Sequence, residues 1–266
     1  MRKQIFIIFI LALLLTVYKA DAQKYEIGIF GGMSGYKGDI NQFDYFKFTD
    51  PAFGLIFRNN FNPRNVLKIA LTHGEVRGSD SQSGVMDQMQ RNLQFSSIIN
   101  EVSAQYEFNF FKYNPFADGE KFTPYLFTGL SVFNYDPKAE DGVRLQPLGT
   151  EGQGLSGNPG KYSLTQFAVP VGIGFKANLS GQFNIFSELG YRYTFTDYID
   201  DVSSYYTDLS SSPNPTTQFY ADRSLEVGYP ANTPGTQRGD LNKKDMYMFA
   251  VVGISISFVS SRCPKF

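Results

Sequence analysis

The sequence contains no Trp, one Cys and one His in 266 residues. Those counts exclude a zinc site built from several Cys and His ligands, and they exclude any disulfide or dithiol pair within the chain. Charge of either sign is also missing as a signal. With 24 basic and 25 acidic side chains, a formal net charge of −1 gives no reason to invoke nucleic acid. The longest apolar run, residues 5–17, is too short to cross a bilayer as a helix. Aromatic residues, by contrast, are abundant: 26 Phe and 17 Tyr, with 25 Gly and 13 Pro. A chain with this aromatic density buries a core, so disordered and collagen-like classes are out.

The first 22 residues read as a secretory signal peptide. Arg2 and Lys3 supply a cationic start, residues 5–17 an apolar stretch, and Ala20-Asp21-Ala22 a small-residue cleavage site. Cleavage after Ala22 would remove Arg2, Lys3, Lys19 and Asp21 and take the formal charge from −1 to −3. No Cys stands at that point, so lipoprotein processing is not expected. The expected organisation is a signal peptide over 1–22, one barrel domain over 23–259 and a short tail over 260–266.

Apolar residues then alternate with polar or small ones almost throughout, with no sustained helical period. Eight strands are expected: Tyr25 to Met33, Ala52 to Arg58, Val66 to Gly74, Asn100 to Phe110, Thr123 to Phe133, Gln166 to Lys176, Phe183 to Phe195 and Asp245 to Phe258. In the fourth, Val102, Ala104, Tyr106, Phe108 and Phe110 share one face and Glu101, Ser103, Gln105, Glu107 and Asn109 the other. The connections alternate long and short along the chain. That is the habit of transmembrane barrels of outer membranes, with short periplasmic turns and long extracellular loops. The predicted fold is therefore all-β: an eight-stranded antiparallel transmembrane outer-membrane β-barrel of OmpA-like size, with four long extracellular loops and both termini periplasmic.

A soluble barrel with an apolar lumen would show the same alternation, so the inside-out arrangement needs its own argument. The polar faces carry Glu26, Arg58, Lys68, Glu101, Glu107, Lys176, Glu188 and Arg192, four acids and four bases beside small residues such as Gly172, Gly174 and Gly190. An eight-stranded lumen is just wide enough to be filled by side chains, and a balanced charge set suits such an interior. Tyr25, Tyr106, Phe110, Tyr125, Phe133, Phe175, Phe183, Tyr191, Tyr193, Phe195, Tyr247 and Phe258 fall near strand ends, as interfacial girdles require.

A filled lumen argues against a porin, and little in the sequence argues for an enzyme. His73 would need a nucleophile from another loop, and the expected reading is an interfacial or solvated side chain. No catalytic, cofactor-binding or metal-binding residue is assigned. Asp197, Asp200, Asp201 and Asp208 are dense enough in oxygen to suggest Ca²⁺. They lack the Gly and Glu of an EF-hand loop, so a solvated strand tip with turn-forming Asp residues is the favoured reading. Gly28, Gly31, Gly32 and Gly35 precede no helix and are not a phosphate loop. Arg238-Gly239-Asp240 is assigned to turn chemistry. The Gly-rich segment 142–160 and the Ser/Pro-rich segment 210–217 are long loops without a nameable mechanism.

Several segments together resemble the PorG family of Bacteroidota. They are the Gly-rich first strand running into Tyr36-Lys37-Gly38-Asp39-Ile40, the segment Phe122-Thr123-Pro124-Tyr125, the run from Glu188-Leu189-Gly190-Tyr191-Arg192 through Thr196-Asp197-Tyr198-Ile199-Asp200-Asp201-Val202, Gln237-Arg238-Gly239-Asp240, and Arg262-Cys263-Pro264. The resemblance implies a non-enzymatic outer-membrane component of the type IX secretion system. It would anchor or organise a periplasmic ring made by the lipoprotein PorK and its partner PorN. A periplasmic partner can meet only the short turns and the tail, and the longest turn carries Tyr113, Pro115 and Phe116 beside Asp118 and Glu120, either as a contact surface or as a tight-turn cluster packed under the barrel. Cys263, an odd Cys in an exported protein, suggests an intermolecular disulfide to a ring subunit or a free thiol. The rival expectation is a small barrel acting as adhesin or surface receptor through its long loops.

Overall fold

The computed structural model describes residues 24–42, 46–117, 119–210, 212 and 214–259. Eight long strands dominate: β1 (Lys24–Lys37), β2 (Phe48–Asn60), β3 (Asn65–Ser79), β4 (Gln94–Asn109), β5 (Phe122–Asn134), β6 (Thr165–Ser180), β7 (Phe183–Thr194) and β8 (Met246–Val259). Each pairs antiparallel with its sequence neighbour, and β1 also pairs with β8 from Lys24↔Val259 to Lys37↔Met246, which closes the barrel. A two-residue ladder at Pro137–Lys138 extends β4 at one end. The eight expected strands are all present. Most run further than the alternation alone marks, because their outer ends continue past the apolar band into the long loops.

Side chains on the strands sort by parity. Ile27 and Ile29 of β1 and Phe53 and Leu55 of β2 project outward, as do Leu67, Ile69 and Leu71 on β3 and Val252, Ile254 and Ile256 on β8, all of them exposed. On β6 the outward set runs from Phe167 through Val171 and Ile173 to Phe175. At about 3.3 Å per residue and a tilt near 45°, that set rises about 20 Å along the barrel axis, close to the apolar belt of an outer-membrane barrel. Water would not tolerate so continuous an apolar wall, whereas hydrocarbon requires one. Among the described residues no helix is long and apolar enough to cross a membrane, and the strands are what can.

The two ends differ. At one, the turns 61–64, 110–121 and 181–182 are short, and the described chain ends lie beside them. At the other, segments 38–47, 80–93, 135–164 and 195–245 build a folded crown, with helices α1 (Met86–Arg91) and α2 (Pro215–Ala221). Asn214 caps α2, its Oδ1 accepting Thr216 N at 3.0 Å, with Pro215 in the first turn. The crown has its own apolar core, in which Ile40, Leu93, Leu145, Ile199, Val202 and Tyr220 pack onto Tyr36, Phe95 and Phe133 of the strands.

Candidate functional site

The lumen is the first place where function could reside, and it is packed. Arg58 is fully buried and sits at the centre of the layer nearer the turn end. Its Nε donates to Glu107 Oε1 at 2.9 Å, its Nη2 to Glu188 Oε1 at 3.0 Å, and its Nη1 approaches Glu26 Oε2 at 3.5 Å. Lys68 Nζ reaches Glu188 at 2.6 Å and Glu107 at 3.3 Å, and Lys176 Nζ reaches the other Glu107 oxygen at 3.0 Å. A second layer, nearer the crown, joins Arg192 Nε to Glu101 Oε2 at 3.3 Å, and Tyr247 donates to the same oxygen at 2.7 Å. The structure thus brings all eight charged residues singled out in the sequence into the lumen, in two groups of six and two.

Balanced charge alone does not exclude water; the rings do. Arg58 lies 4.4 Å from the Phe186 ring centroid, Lys68 4.5 Å from Phe127, Lys176 4.9 Å from Tyr125 and Arg192 4.6 Å from Phe249. Between the layers, a void of about 10 Å³ lined by Phe30, Thr72, Gln105 and Phe249 has room for about one water. These rings correct part of the girdle expected from sequence. Tyr125, Phe133 and Tyr247 point inward and are buried, while Tyr106, Phe110, Phe175, Phe183, Tyr193, Phe195 and Phe258 do face outward. On β5 both faces carry large apolar residues, Tyr125, Phe127 and Phe133 on one and Leu126, Leu130 and Val132 on the other, so alternation alone marks the lumen side only weakly. With no continuous aqueous path, the protein reconstituted in planar bilayers should give no steady ion current; stepwise conductance of porin size would contradict the packing.

The crown covers the lumen with a second set of buried polar contacts. Arg91 of α1 grips both Asp80 oxygens at 2.7 and 2.8 Å, and Arg238 Nη1 donates to Glu151 Oε1 at 2.9 Å. Glu151 also accepts from the Ser203 and Ser204 amides at 2.9 and 3.1 Å. Tyr162 and Tyr198 stack with centroids 4.4 Å apart and planes 6° apart. Arg91, Asp80 and Glu151 were not singled out in the sequence, where long loops of mixed composition give no periodic signal. The sequence assigns Arg238 to turn chemistry; in the structure its side chain is a buried strut, and Arg238-Gly239-Asp240 is not displayed for recognition.

The aspartates of the fourth long loop are not a solvated tip. Asp197, Asp200 and Asp201 are buried, and only Asp208 is exposed. Asp201 accepts from Thr150 Oγ1 and from the Tyr162 hydroxyl, both at 2.5 Å, and Asp197 accepts from Ser203 Oγ at 2.8 Å. Burial pushes the Asp197 and Asp201 carboxyls up to about 6. The reason is that residues 196–203 fold down over the barrel mouth, which spacing alone does not reveal. Among the described residues, no group of three or more His, Cys, Asp or Glu could hold a metal ion.

His73 stands on the outer wall of β3, its Nδ1 2.7 Å from Asn100 Oδ1 and its ring 5.0 Å from Phe53. Those neighbours are an amide and a phenyl ring, neither of them a nucleophile. At the turn end, Tyr113 and Pro115 are buried and only Phe116 of the expected trio is exposed. Tyr113 turns back into the barrel floor, where its hydroxyl donates to Asn184 Oδ1 at 2.8 Å, because the 110–121 turn is long enough to fold under the lumen. Asp118, Cys263, the tail 260–266 and the expected signal peptide lie outside the described residues.

Comparison with known families adds a classification. Residues 3–212 match the family described as "Domain of unknown function (DUF6089)", more than three quarters of the chain. The chain belongs to the DUF6089 family. The match runs through β7 and into the last long loop, so the DUF6089 region includes most of the barrel and much of the crown. No curated protein matches the sequence. Among solved structures, this DUF6089 barrel is similar to the N-terminal β-barrel domain of Pseudomonas aeruginosa OprF, with TM-score 0.40, 14% identity, and 90% of this chain and 100% of that one covered. It is also similar to Ail, the attachment invasion locus protein of Yersinia pestis, in complex with the heparin analogue sucrose octasulfate (TM-score 0.43, 13% identity, coverage 90% and 100%). Neisserial surface protein A gives TM-score 0.42 at 9% identity, with 88% and 97% covered.

Proposed function

We propose that this protein is a non-enzymatic outer-membrane barrel of a Gram-negative bacterium that serves as a structural component of the type IX secretion system, with its turn end in the periplasm and its crown outside the cell. The observation that carries the structural half of this reading is the sealed lumen: ion pairs and rings fill it, and the crown lies over it. A barrel with a filled bore acts through its surfaces. The secretion half rests on the resemblance to PorG-like proteins, whose most specific run, Thr196 to Val202, follows β7 in the buried arm of the crown.

On this reading the partners are a periplasmic ring of PorK and PorN. The surface left for them is the turn end, where Phe61, Phe111 and Phe116 are exposed beside Lys112, together with the tail that carries Cys263. Aromatic side chains with polar neighbours suit such a contact. Co-purification from native outer membranes in mild detergent, on reducing and non-reducing gels, tests it with wild type and Cys263→Ser. Ring lipoproteins should accompany the barrel, and a heavier non-reduced band should vanish with the substitution; a barrel that emerges alone in both forms overturns the anchoring role. A second reading, adhesin or surface receptor, is favoured by the crown's exposed apolar residues Met86, Leu225, Val227 and Tyr229. Loss of surface binding with secretion intact, after deletion of the crown loops, would decide for it.

A further inference from the structure

The arm 196–245 is held to the barrel mouth by a group in which protons do not balance without one extra. Tyr36, buried at the crown end of β1, has its hydroxyl oxygen 2.5 Å from Asp200 Oδ2 and 2.9 Å from Asp245 Oδ1. A phenol has one proton and can donate to only one of two carboxylates. Two ionised carboxylates on that one oxygen would leave the second contact as a lone-pair repulsion in a buried site.

The surrounding donors show which carboxyl carries the missing proton. Asp200 is supplied from three directions: the Tyr36 hydroxyl, the Ile40 amide at 3.3 Å and the Val202 amide at 2.9 Å. Asp245 receives the Ile199 amide on Oδ2 at 2.8 Å, which among the described residues leaves Oδ1 with Tyr36 alone. Asp200 is therefore placed as the anion and Asp245 as the acid.

We infer that a single proton latches the crown: Asp245 holds it on Oδ1 and donates it to the Tyr36 oxygen, Tyr36 donates its own to Asp200, and loss of that proton releases the arm from the barrel mouth. The chain Asp245 to Tyr36 to Asp200 ties both ends of the arm, and through Ile40 the segment after β1, to one strand of the wall.

The other charges around this group favour retention of the proton. Asp39, after β1, is 4% exposed, and its Oδ2 has no hydrogen-bond partner among the described residues. Asp197 and Asp201 on the arm, and Asp240 beside Asp39, add negative charge; Arg91 of α1, Lys244 at 3.5 Å from Asp197, and Lys37 and Lys243, which line the same cavity as Asp245, oppose it. Tyr135 and Tyr162 stand behind the arm as neutral hydroxyls. Burial first, and then Asp39 for Asp200 and Asp200 for Asp245, push both carboxyls well above the usual carboxylate range; the pair loses its protons in sequence, and Asp200, with three donors, ionises first and leaves the last proton on Asp245. A carboxyl raised on folding stabilises the closed form at low pH, and that contribution is lost as pH rises through the folded value.

Hydrogen exchange followed by mass spectrometry, on the refolded barrel in detergent at pH 6 and pH 9 with exposure times scaled for the intrinsic rate, reads the latch directly. Arm peptides within 196–210 and 236–245 should lose protection at pH 9 while wall peptides keep it. The opening constant should rise at most about tenfold per pH unit, as one-proton linkage requires. Asp245→Asn places an amide donor where the acid stood, so its arm should stay protected at both pH values. Tyr36→Phe should leave the arm open at both. Equal protection of the wild-type arm at pH 6 and pH 9 overturns the latch, as does a wild-type pH response retained in Asp245→Asn. The wild-type comparison stands even if a variant does not refold.

Discussion

Replacing Arg58 with Met will cost about 3–5 kcal/mol of barrel stability, the usual penalty for deleting one partner of a buried ionic group. Arg58 is fully buried and touches Glu26, Glu107 and Glu188. Without it, three carboxylates face only Lys68 and Lys176, at a depth where solvent cannot compensate. Met restores the volume, so a loss on this scale reports charge and not a cavity. Urea unfolding in detergent, followed by the heat-modifiable shift on gels, measures it. Adding Glu107→Gln should recover part of the loss, since it removes one uncompensated negative charge; an unchanged unfolding midpoint in Arg58→Met would show that the lumen network does not hold the barrel together.

Gly172→Ala will cost about 3 kcal/mol, the upper part of the usual range for overpacking, whereas Gly31→Ala will stay within about 0.5 kcal/mol of wild type. The chemical change is the same, and only the surroundings differ. A Cβ on Gly172 would lie 2.4 Å from the Leu189 carbonyl oxygen and 2.7 Å from Gly190 Cα on the paired strand, and 2.4 Å from Cζ of Phe127. Backbone on β7 cannot give way without loosening the ladder, and Phe127 is pinned under Lys68. A Cβ on Gly31 meets nothing within 4 Å, on the outer face where lipid adapts to it. Refolding yield and unfolding midpoints of the two variants, compared side by side, check the contrast. Equal behaviour would mean that the close approach of β6, β7 and Phe127 is not required for closure.

The barrel was legible in the sequence because its strands obey one rule, period two, and its charged residues fall on one parity. β4 shows why: Glu101 and Glu107 alternate with Val102 and Phe108, and the parity fixes both faces at once. β5 breaks the rule, since Tyr125, Phe127 and Phe133 fill the lumen while Leu126, Leu130 and Val132 face outward. Hydrophobicity separates poorly two faces that both carry large apolar side chains, and here only Thr123, Gly129 and Ser131 mark the inner one. The crown was legible only as loop length. Its contacts join residues far apart in the chain, such as Arg238 with Glu151 and Tyr36 with Asp200, and no local spacing encodes them. Four aspartates near one strand end therefore looked solvated when three of them are buried. For Tyr113 the sequence leaves a contact surface and a cluster packed under the barrel both open, because a turn that folds back under its own barrel has the composition of one that does not; the structure shows the packed arrangement.

The filled lumen also has a mechanical meaning. A hollow eight-stranded cylinder can flatten into an ellipse under load, because only its wall resists. Here Arg58 and Arg192 cross the bore to glutamates on distant strands, and rings wedge the space between, so flattening would have to break ion pairs and compress aromatic contacts together. Such a cylinder is a stiff rod. A pull or twist applied at one end is delivered to the other with little taken up by the wall between.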